Sequence, residues 1–259
     1  MSKYFGGIFG NTNPVTANVS GQKGVYTLID QYFSKQEGGW EIGMSASGGT
    51  EVTYNSKKIH IFNPSEKNKS QKTVEIIQNI LFKNRFNRDD CLIAFGGGIT
   101  GDVAAYSAST YKRGIKFVNI PTTLLAQVDS SVGGKTGINN SYGKNLIGSF
   151  YQPDAVVSDI NLLKSLNTRE IICGYAEILK SSLLESYQSF NYLDKNIKDI
   201  LKLKEPFINK AILKSCNLKK KIVQEDETEK NLRKVLNLGH TFAHAYESCL
   251  GFNLSLIHI

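Results

Sequence analysis

The sequence predicts an α/β protein, with a parallel, doubly wound N-terminal domain over residues 1–160 and an all-helical domain over residues 161–259. Two observations carry this prediction. The apolar run at 91–95 leads through a glycine cluster into an alanine-rich helix, and a second apolar strand follows at 115–120, which is typical of a βαβ unit. From about Leu162 onward the apolar spacing is helical only.

The individual elements follow in chain order, although residues 1–55 show no clear periodicity. A short strand is predicted at 58–62 and a helix at 70–83 with Ser70 as its N-cap. Pro121 ends the strand at 115–120, and 122–150 is predicted to be a long connection without regular structure, a kind of loop that is usually functional. A brief strand at 155–157 precedes the predicted helices at 168–187, 189–202, 205–224 and 231–250, with the acidic segment 225–229 as a solvated turn.

The composition narrows the classes of ligand and location that we expect for the protein. Lys and Arg number 31 against 23 Asp and Glu, a net charge of +8, but no basic stripe alternates with aromatics, so we expect a small anionic ligand rather than nucleic acid. No apolar run reaches the roughly 18 residues that span a bilayer, and no secretion signal begins the chain, so we expect a cytoplasmic protein without a membrane partner. The four cysteines are widely spaced, which favours free thiols.

A glycine-rich turn, Gly96–Asp102, follows a predicted buried strand and opens a helix. Glycines allow the backbone to approach a phosphate closely, and the helix N-terminus offers unpaired N–H groups. The alternative is a tight structural turn. The strand–turn–helix context favours a dinucleotide pyrophosphate.

The connection at 121–139 combines hydroxyls, Asp129, Lys135 and several glycines, and Lys144-Asn145 follows it. Lysines beside glycines in a cleft suit phosphate and carboxylate groups. The alternative is an ordinary exposed loop.

Two histidines four residues apart, His240 and His244, would share a helix face, as would Glu177 and Lys180 three residues apart. Together these groups suit a divalent metal beside an acid–base group, although a polar helix–helix contact would also explain them. Arg233 and Asn237 extend the histidine stripe at helical spacing.

These segments closely resemble the 3-dehydroquinate synthase family of sugar phosphate cyclases from about Ile59 to Phe252. The resemblance implies a Rossmann-like NAD-binding domain followed by a helical metal-binding domain. It also implies conversion of 3-deoxy-D-arabino-heptulosonate 7-phosphate to 3-dehydroquinate and phosphate, in the shikimate route to aromatic amino acids. Bound NAD would oxidise a ring hydroxyl, phosphate would leave, NADH would reduce the ketone again, and an intramolecular aldol step would close the ring.

The resemblance also assigns roles, including a homodimer in which Arg113 reaches the substrate of the neighbouring subunit. His244 matches a catalytic residue rather than a metal ligand, and Ser165 replaces the usual threonine. The substrate and catalytic positions are His244, Lys135, Lys180, Asp129, Lys144, Asn145, Lys219, Arg233, Asn237 and Arg113. The cofactor positions are Glu66, Lys69, Gly97, Gly98, Asp102, Thr122, Thr123, Asp129, Ser130, Lys144 and Ser165. The ligands of a divalent metal, zinc or alternatively cobalt, are Glu177, His240 and His258.

Two parts depart from the family pattern. The usual first strand of the family is not recognisable in residues 1–55, and His258 has a spacing that suits the third zinc ligand but is followed only by Ile259. We therefore expect a C-terminally truncated fragment. The alternatives are a metal-dependent alcohol or polyol dehydrogenase of similar layout, against which the 121–139 segment argues, a related cyclase for another sugar phosphate, or an inactive fragment.

Overall fold

A computed structural model describes residues 6–7, 51–54, 57–61 and 63–239. His240, His244, His258 and Cys249 lie outside these residues. The strands are β1 (Gly6–Gly7), β2 (Glu51–Tyr54), β3 (Lys57–His60), β4 (Cys91–Gly96), β5 (Lys116–Pro121), β6 (Ile138–Asn140), β7 (Gly143–Ile147) and β8 (Ala155–Val157). The α-helices are α1 (Gln71–Lys83), α2 (Gly98–Thr110), α3 (Thr168–Glu185), α4 (Tyr187–Leu201) and α5 (Phe207–Glu225).

The central sheet is parallel, as predicted, with strand order β1-β8-β5-β4. Both faces of β4 are buried because its residues alternate between two apolar clusters. Leu92 and Ala94 pack with residues of α1 and α2, whereas Ile93 packs with Val118 and Ile120 of β5 on the other face. This two-sided burial explains the unbroken apolar run in the sequence.

The register fixes where the strands end. Gly96 at the end of β4 lies opposite Pro121 at the end of β5. Because parallel strands end at the same edge of a sheet, the glycine turn and the 122–150 connection start side by side. Ligands of open α/β sheets bind beyond this edge.

The three long helices α3, α4 and α5 enclose a third apolar cluster, built around Ile178, Leu193, Ile200 and Ile212. Leu124 and Val128, at the start of the 122–150 connection, belong to the same cluster. The connection is therefore anchored in the helical part by apolar packing.

The connection is not irregular, which corrects the prediction. Ala126–Ser130 forms a π-helical turn, and β6 and β7 form an antiparallel hairpin. The hairpin turn is held by Asn140, whose Oδ1 accepts hydrogen bonds from the N–H groups of Tyr142 (2.8 Å) and Gly143 (3.1 Å). A π-turn has no 3.6-residue period, and these short strands are largely polar, so neither has a strong pattern in the sequence.

The prediction of an α-helix over residues 231–250 is wrong for the first residues of this range. Leu232–Asn237 is a 3-10 helix, and Gly239 follows in a left-handed conformation (φ +84°). Arg233 is buried and Asn237 is exposed. A 3-10 helix has three residues per turn, so positions four apart do not share its face. These two residues therefore do not form the single helical stripe that the spacing predicted.

Two further findings concern the chemistry of the chain. Among the described residues, no helix combines the length and apolarity that crossing a bilayer requires.

Cys91, Cys173 and Cys216 are free thiols. Burial raises the pKa of the Cys91 thiol to about 12, which keeps this thiol protonated and unreactive.

We expect His60 to make the protein sensitive to acid. The imidazole is 5% exposed, and within the described part of the chain neither ring nitrogen has a hydrogen-bond partner. Burial lowers its pKa from 6.5 to about 4. The unfolded chain therefore takes up the proton first, so stability present above pH 6.5 is lost as the pH falls toward 4, by about 3 kcal/mol.

Urea unfolding at pH 7 and pH 4.5 tests this prediction. Carboxyl groups also titrate in this range. The comparison is therefore with His60→Phe, whose side chain at position 60 cannot gain a proton. The unaltered chain should lose more unfolding free energy between the two pH values than the variant loses. Equal losses would contradict the prediction.

Candidate active site

The glycine turn is closely packed against the connection that follows β5. The N–H of Thr122 donates to the carbonyl of Gly96 (2.9 Å). A Cβ atom on Gly97 would lie 3.2 Å from Cγ2 of Thr123, and one on Gly98 would lie 3.1 Å from Oγ of Ser130. Gly97 caps α2 without a side-chain hydrogen bond. The first N–H groups of α2 and these hydroxyls thus share one crevice, an arrangement suited to a phosphate group.

The π-turn is the element that joins the two halves of the site. It contacts α2, α3 and α5, and the N–H of Ser131 donates to the carbonyl of Ala126 (3.1 Å), five residues earlier. Buried Gln127 anchors the turn by donating to the carbonyls of Pro121 (3.2 Å) and Asp159 (2.9 Å). Such turns often occur at functional sites because they change the direction of side chains within a helix.

Asp129, on this turn, belongs to a cluster of four charged side chains. The Lys219 ammonium of α5 donates to the carbonyl of Asp129 (2.6 Å) and pairs with its carboxylate. Glu177 and Lys180 of α3 form a second ion pair, with side chains 19% and 14% exposed. We call these four residues the charged cluster.

The pKa values within the charged cluster reflect its packing. Burial raises the pKa of Glu177, the charge of Asp129 raises it further, and Lys180 and Lys219 lower it. Burial also raises the pKa of Asp102 on α2, which Lys69 lowers and Asp129 raises. Asp129 is thus close enough to act on carboxyl groups from both sides of the crevice, and nearby lysines offset the charge.

A second polar network includes Asp102 of α2. Lys69 is 5% exposed, and its ammonium donates to Oδ2 of Asp102 and Oδ1 of Asn145, both at 2.5 Å. Asn145 has a left-handed backbone (φ +57°), which asparagine tolerates better than most residues. This network joins predicted cofactor positions to a predicted substrate position.

A third group centres on Glu229, for which no function was predicted. Its carboxylate forms an ion pair with Lys135 and accepts a hydrogen bond from Nδ2 of Asn237 (2.9 Å). The solvated turn predicted at 225–229 is therefore wrong for this residue, whose side chain is 19% exposed. Its left-handed conformation (φ +59°) turns it inward, and no sequence pattern indicated this.

Arg233 is buried beside this group. Its guanidinium donates to the carbonyls of Gly133 (2.8 Å) and Glu227 (2.5 Å) and lies over the ring of Phe150. In this arrangement Arg233 joins the loop after the π-turn to the loop after α5. Its predicted contact with substrate stays a prediction.

Gly174 allows α3 to approach the π-turn. An added Cβ would lie 2.5 Å from Cγ of Leu124 and 2.7 Å from the backbone nitrogen of Leu125. We expect Gly174→Ala to cost about 1–3 kcal/mol of unfolding free energy because the two elements must separate. Glu177, one turn later, should move away from Asp129, and activity should fall.

Ala176→Gly is the matched control for this prediction. Ala176 is exposed on the same helix, and glycine there should cost about 1 kcal/mol through helix propensity alone. Urea unfolding and turnover should show similar losses of stability but a larger loss of activity for Gly174→Ala. Equal activities would contradict the proposed role of the close approach.

Three further predicted site residues, Ser165, Arg113 and Lys144, also lie within the described part of the chain. Ser165 is exposed, and its hydroxyl donates to the carbonyl of Leu162 (3.2 Å). Arg113 is exposed in a left-handed turn (φ +67°), and Lys144 is half-buried on β7. Within residues 63–239 no three His, Cys, Asp or Glu side chains form a metal-binding group, and Glu177 is the one predicted ligand that this range includes.

The parallel sheet, the glycine turn at its carboxyl edge and the charged cluster beside the π-turn define a class: α/β proteins with a charged site between the edge of a parallel sheet and a helical part. The family models for 3-dehydroquinate synthase match both parts, the N-terminal model over residues 59–173 and the C-terminal model over residues 174–258. The chain therefore belongs to the 3-dehydroquinate synthase family.

Individual relatives agree with this assignment. The 3-dehydroquinate synthase of Pelagibacter ubique is 62% identical over 203 residues, which are 78% of this chain and 55% of that protein. A structure of 2-deoxy-scyllo-inosose synthase, in complex with carbaglucose-6-phosphate, NAD+ and Co2+, has a TM-score of 0.72 and 30% identity over 90% of this chain and 66% of its own.

A third relative is, like the second, named for a product other than 3-dehydroquinate. The 2-epi-5-epi-valiolone synthase of Streptomyces hygroscopicus, with NAD+ and Zn2+ bound, has a TM-score of 0.70 and 26% identity over 76% of this chain and 57% of its own. The chain spans about half the length of the curated relatives it matches, 55% of the Pelagibacter protein and 53% of the next.

Proposed function

We propose that this chain carries out the 3-dehydroquinate synthase reaction, the conversion of 3-deoxy-D-arabino-heptulosonate 7-phosphate to 3-dehydroquinate and phosphate. The observation that carries the proposal is the charged cluster, which the π-turn holds against the glycine turn. It brings carboxylates and ammonium groups into the crevice where the fold binds its ligands. The 62% identity to a 3-dehydroquinate synthase supports this reaction over that of a related cyclase.

The residues at the sheet edge fit NAD. A side chain on Gly97 or Gly98 would press against Thr123 or Ser130, and the N-terminus of α2 lacks a side-chain cap. We expect the pyrophosphate to accept hydrogen bonds from these N–H groups, with Thr122, Thr123 and Ser130 beside it. When bound, NAD accepts and returns the hydride, while the protein orients it.

The donor set also fits a divalent cation such as zinc. Glu177 supplies a carboxylate, and His240 and His258 would supply imidazoles, a combination that zinc accepts. When bound, the cation stabilises negative charge on a substrate oxygen. Lys180 neutralises Glu177 in the present arrangement and would become available to the substrate once the carboxylate had another cation.

The lysines perform the electrostatic part of the proposed reaction. Lys219 is held by Asp129, and Lys135 by Glu229, so both ammonium groups are fixed in direction before substrate arrives. Fixed positive groups stabilise a leaving phosphate or a carboxylate without further reorganisation. We further propose a cytoplasmic homodimer in which the exposed Arg113 reaches the neighbouring site.

A turnover assay with two readouts tests the proposal. The chain is incubated with NAD, Zn2+ and 3-deoxy-D-arabino-heptulosonate 7-phosphate, and both released phosphate and NADH absorbance are followed. We expect phosphate release, loss of that release with a chelator, and no net NADH. Accumulating NADH without phosphate would support the dehydrogenase instead, and NAD binding without turnover would support an inactive fragment.

A further inference from the structure

We propose that Asn139 is a positioning residue that couples the segment 65–69, expected to bind the cofactor, to the β6–β7 hairpin, expected to bind the substrate. This inference rests on the proposed function and extends it to a residue without an assigned role. Asn139 lies where three parts of the molecule meet: the 3-10 turn with Glu66, the buried Lys69, and the hairpin with Asn145. We call these four residues the Asn139 junction.

The backbone of Asn139 makes the first connection. Ile138 pairs with Ile147 and Asn140 with Gly143, and the register shifts between these pairs. At this irregularity the N–H of Asn139 donates to the carbonyl of Lys69 (2.7 Å). Such irregularities commonly redirect a residue near an active site. The hairpin is therefore attached to segment 65–69 at the point where its own ladder is interrupted.

The side chain of Asn139 makes contacts in both directions. Its Nδ2 donates to Oε2 of Glu66 (2.7 Å) and to the carbonyl of Glu66 (3.0 Å), while its Oδ1 accepts from the N–H of Asn145 (2.9 Å). Only an amide provides donors and an acceptor in this geometry. Aspartate would lose both donors and place a second carboxylate beside Glu66, and alanine would lose all three contacts.

The Lys69 ammonium closes the junction by binding Oδ1 of Asn145 and Oδ2 of Asp102. The left-handed backbone of Asn145 is thus held from both ends, at its N–H by Asn139 and at its side chain by Lys69. A ligand that orders Glu66 and Lys69 should therefore order Asn145 as well. Such coupling acts equally in both directions, so a substrate-side ligand should also tighten cofactor binding.

Calorimetric titration of NAD, with and without saturating inorganic phosphate as the substrate-side probe, tests the coupling. For the full chain we expect phosphate to lower the Kd of NAD. For Asn139→Ala we expect the Kd of NAD without phosphate to rise about tenfold, since a contact with a charged group is lost, and the effect of phosphate to fall toward none. Asn139→Asp should be at least as impaired. Thermal unfolding shows whether each variant is folded.

Two further variants separate positioning from simple loosening of the hairpin. Asn140→Ala removes the turn contacts of the adjacent residue but none in the junction, so it should retain the coupling. Glu66→Gln combined with Asn139→Asp exchanges donor and acceptor, since the glutamine amide can donate to the new carboxylate. This pair should recover part of the coupling that Asn139→Asp loses, a recovery that a purely structural role does not predict.

Each contrary result has a distinct meaning. If phosphate does not affect NAD binding by the full chain, if the Asn139 variants behave like the unaltered chain, or if Asn140→Ala loses the coupling equally, the inference is overturned and the proposed function stands. A full chain that binds no NAD overturns both. Failure of the Glu66→Gln pair to recover any coupling overturns the assignment of the Glu66 contact to the junction.

Discussion

The variant Glu177→Gln is expected to lose both its bound metal and its activity. Glutamine keeps the shape of the side chain but not its charge, and a neutral amide is a poor zinc ligand. The loss of zinc affinity should exceed the roughly 10- to 100-fold that follows the loss of a group one step removed from the metal. Metal content after dialysis, measured by atomic absorption, gives the direct readout, and phosphate release should fall to background.

Glu185→Gln is the matched control for this variant. Glu185 is on the same helix α3, and its carboxylate also lies near a lysine, Lys214 at 3.9 Å, but it lines a separate small cavity between α3, α4 and α5. It should retain metal and activity. Unchanged zinc content in Glu177→Gln would remove this residue from the proposed ligand set.

The variant Lys219→Met is expected to lower kcat/KM by about 100- to 1000-fold, an effect typical of removing one preorganised hydrogen-bond donor from an active site. In the unaltered chain the Lys219 ammonium contacts both the carbonyl and the carboxylate of Asp129. Without it, Asp129 would be left beside Glu177 with less positive charge to offset the pair. Steady-state phosphate release with the heptulosonate phosphate measures the effect.

The lysine run at 219–221 provides the control. Lys221 is exposed, whereas the Lys219 side chain is 11% exposed and directed to Asp129. Lys221→Met should leave kcat/KM within about twofold of the unaltered chain, because exposed charges are screened. Equal effects of the two substitutions would indicate that the run acts through its overall charge, and the proposed role of the Lys219–Asp129 pair would be wrong.

The sequence predicted the parts of the molecule that have strong periodicity. β4, β5 and helices α1 to α5 were found within a few residues because buried strands and amphipathic helices repeat apolar residues at fixed spacing. The parallel pairing followed from the βαβ order. The glycine turn was also found, and its Gly97 and Gly98 lie where the backbone closely approaches Thr123 and Ser130.

The π-turn, the hairpin and the 3-10 helix at 232–237 could not be predicted in the same way. Each depends on contacts between residues far apart in the sequence, such as Gln127 with Asp159 or Arg233 with Gly133. Glu229 and Asn139 were missed for that reason. Both are common polar residues in loops, and only the fold shows that they contact Lys135 and Glu66. The assigned roles came from the resemblance to the family, and they stay predictions.

Anomalous scattering at the zinc edge, from crystals grown with Zn2+ and NAD, would show whether Glu177 binds a metal beside the nucleotide. We expect one strong peak about 2.0–2.2 Å from the Glu177 carboxylate, the usual zinc–oxygen distance, in the same crevice as a nucleotide at Gly97 and Gly98. A zinc peak away from Glu177, or a nucleotide outside the crevice that the π-turn shares with α2 and α3, would contradict it.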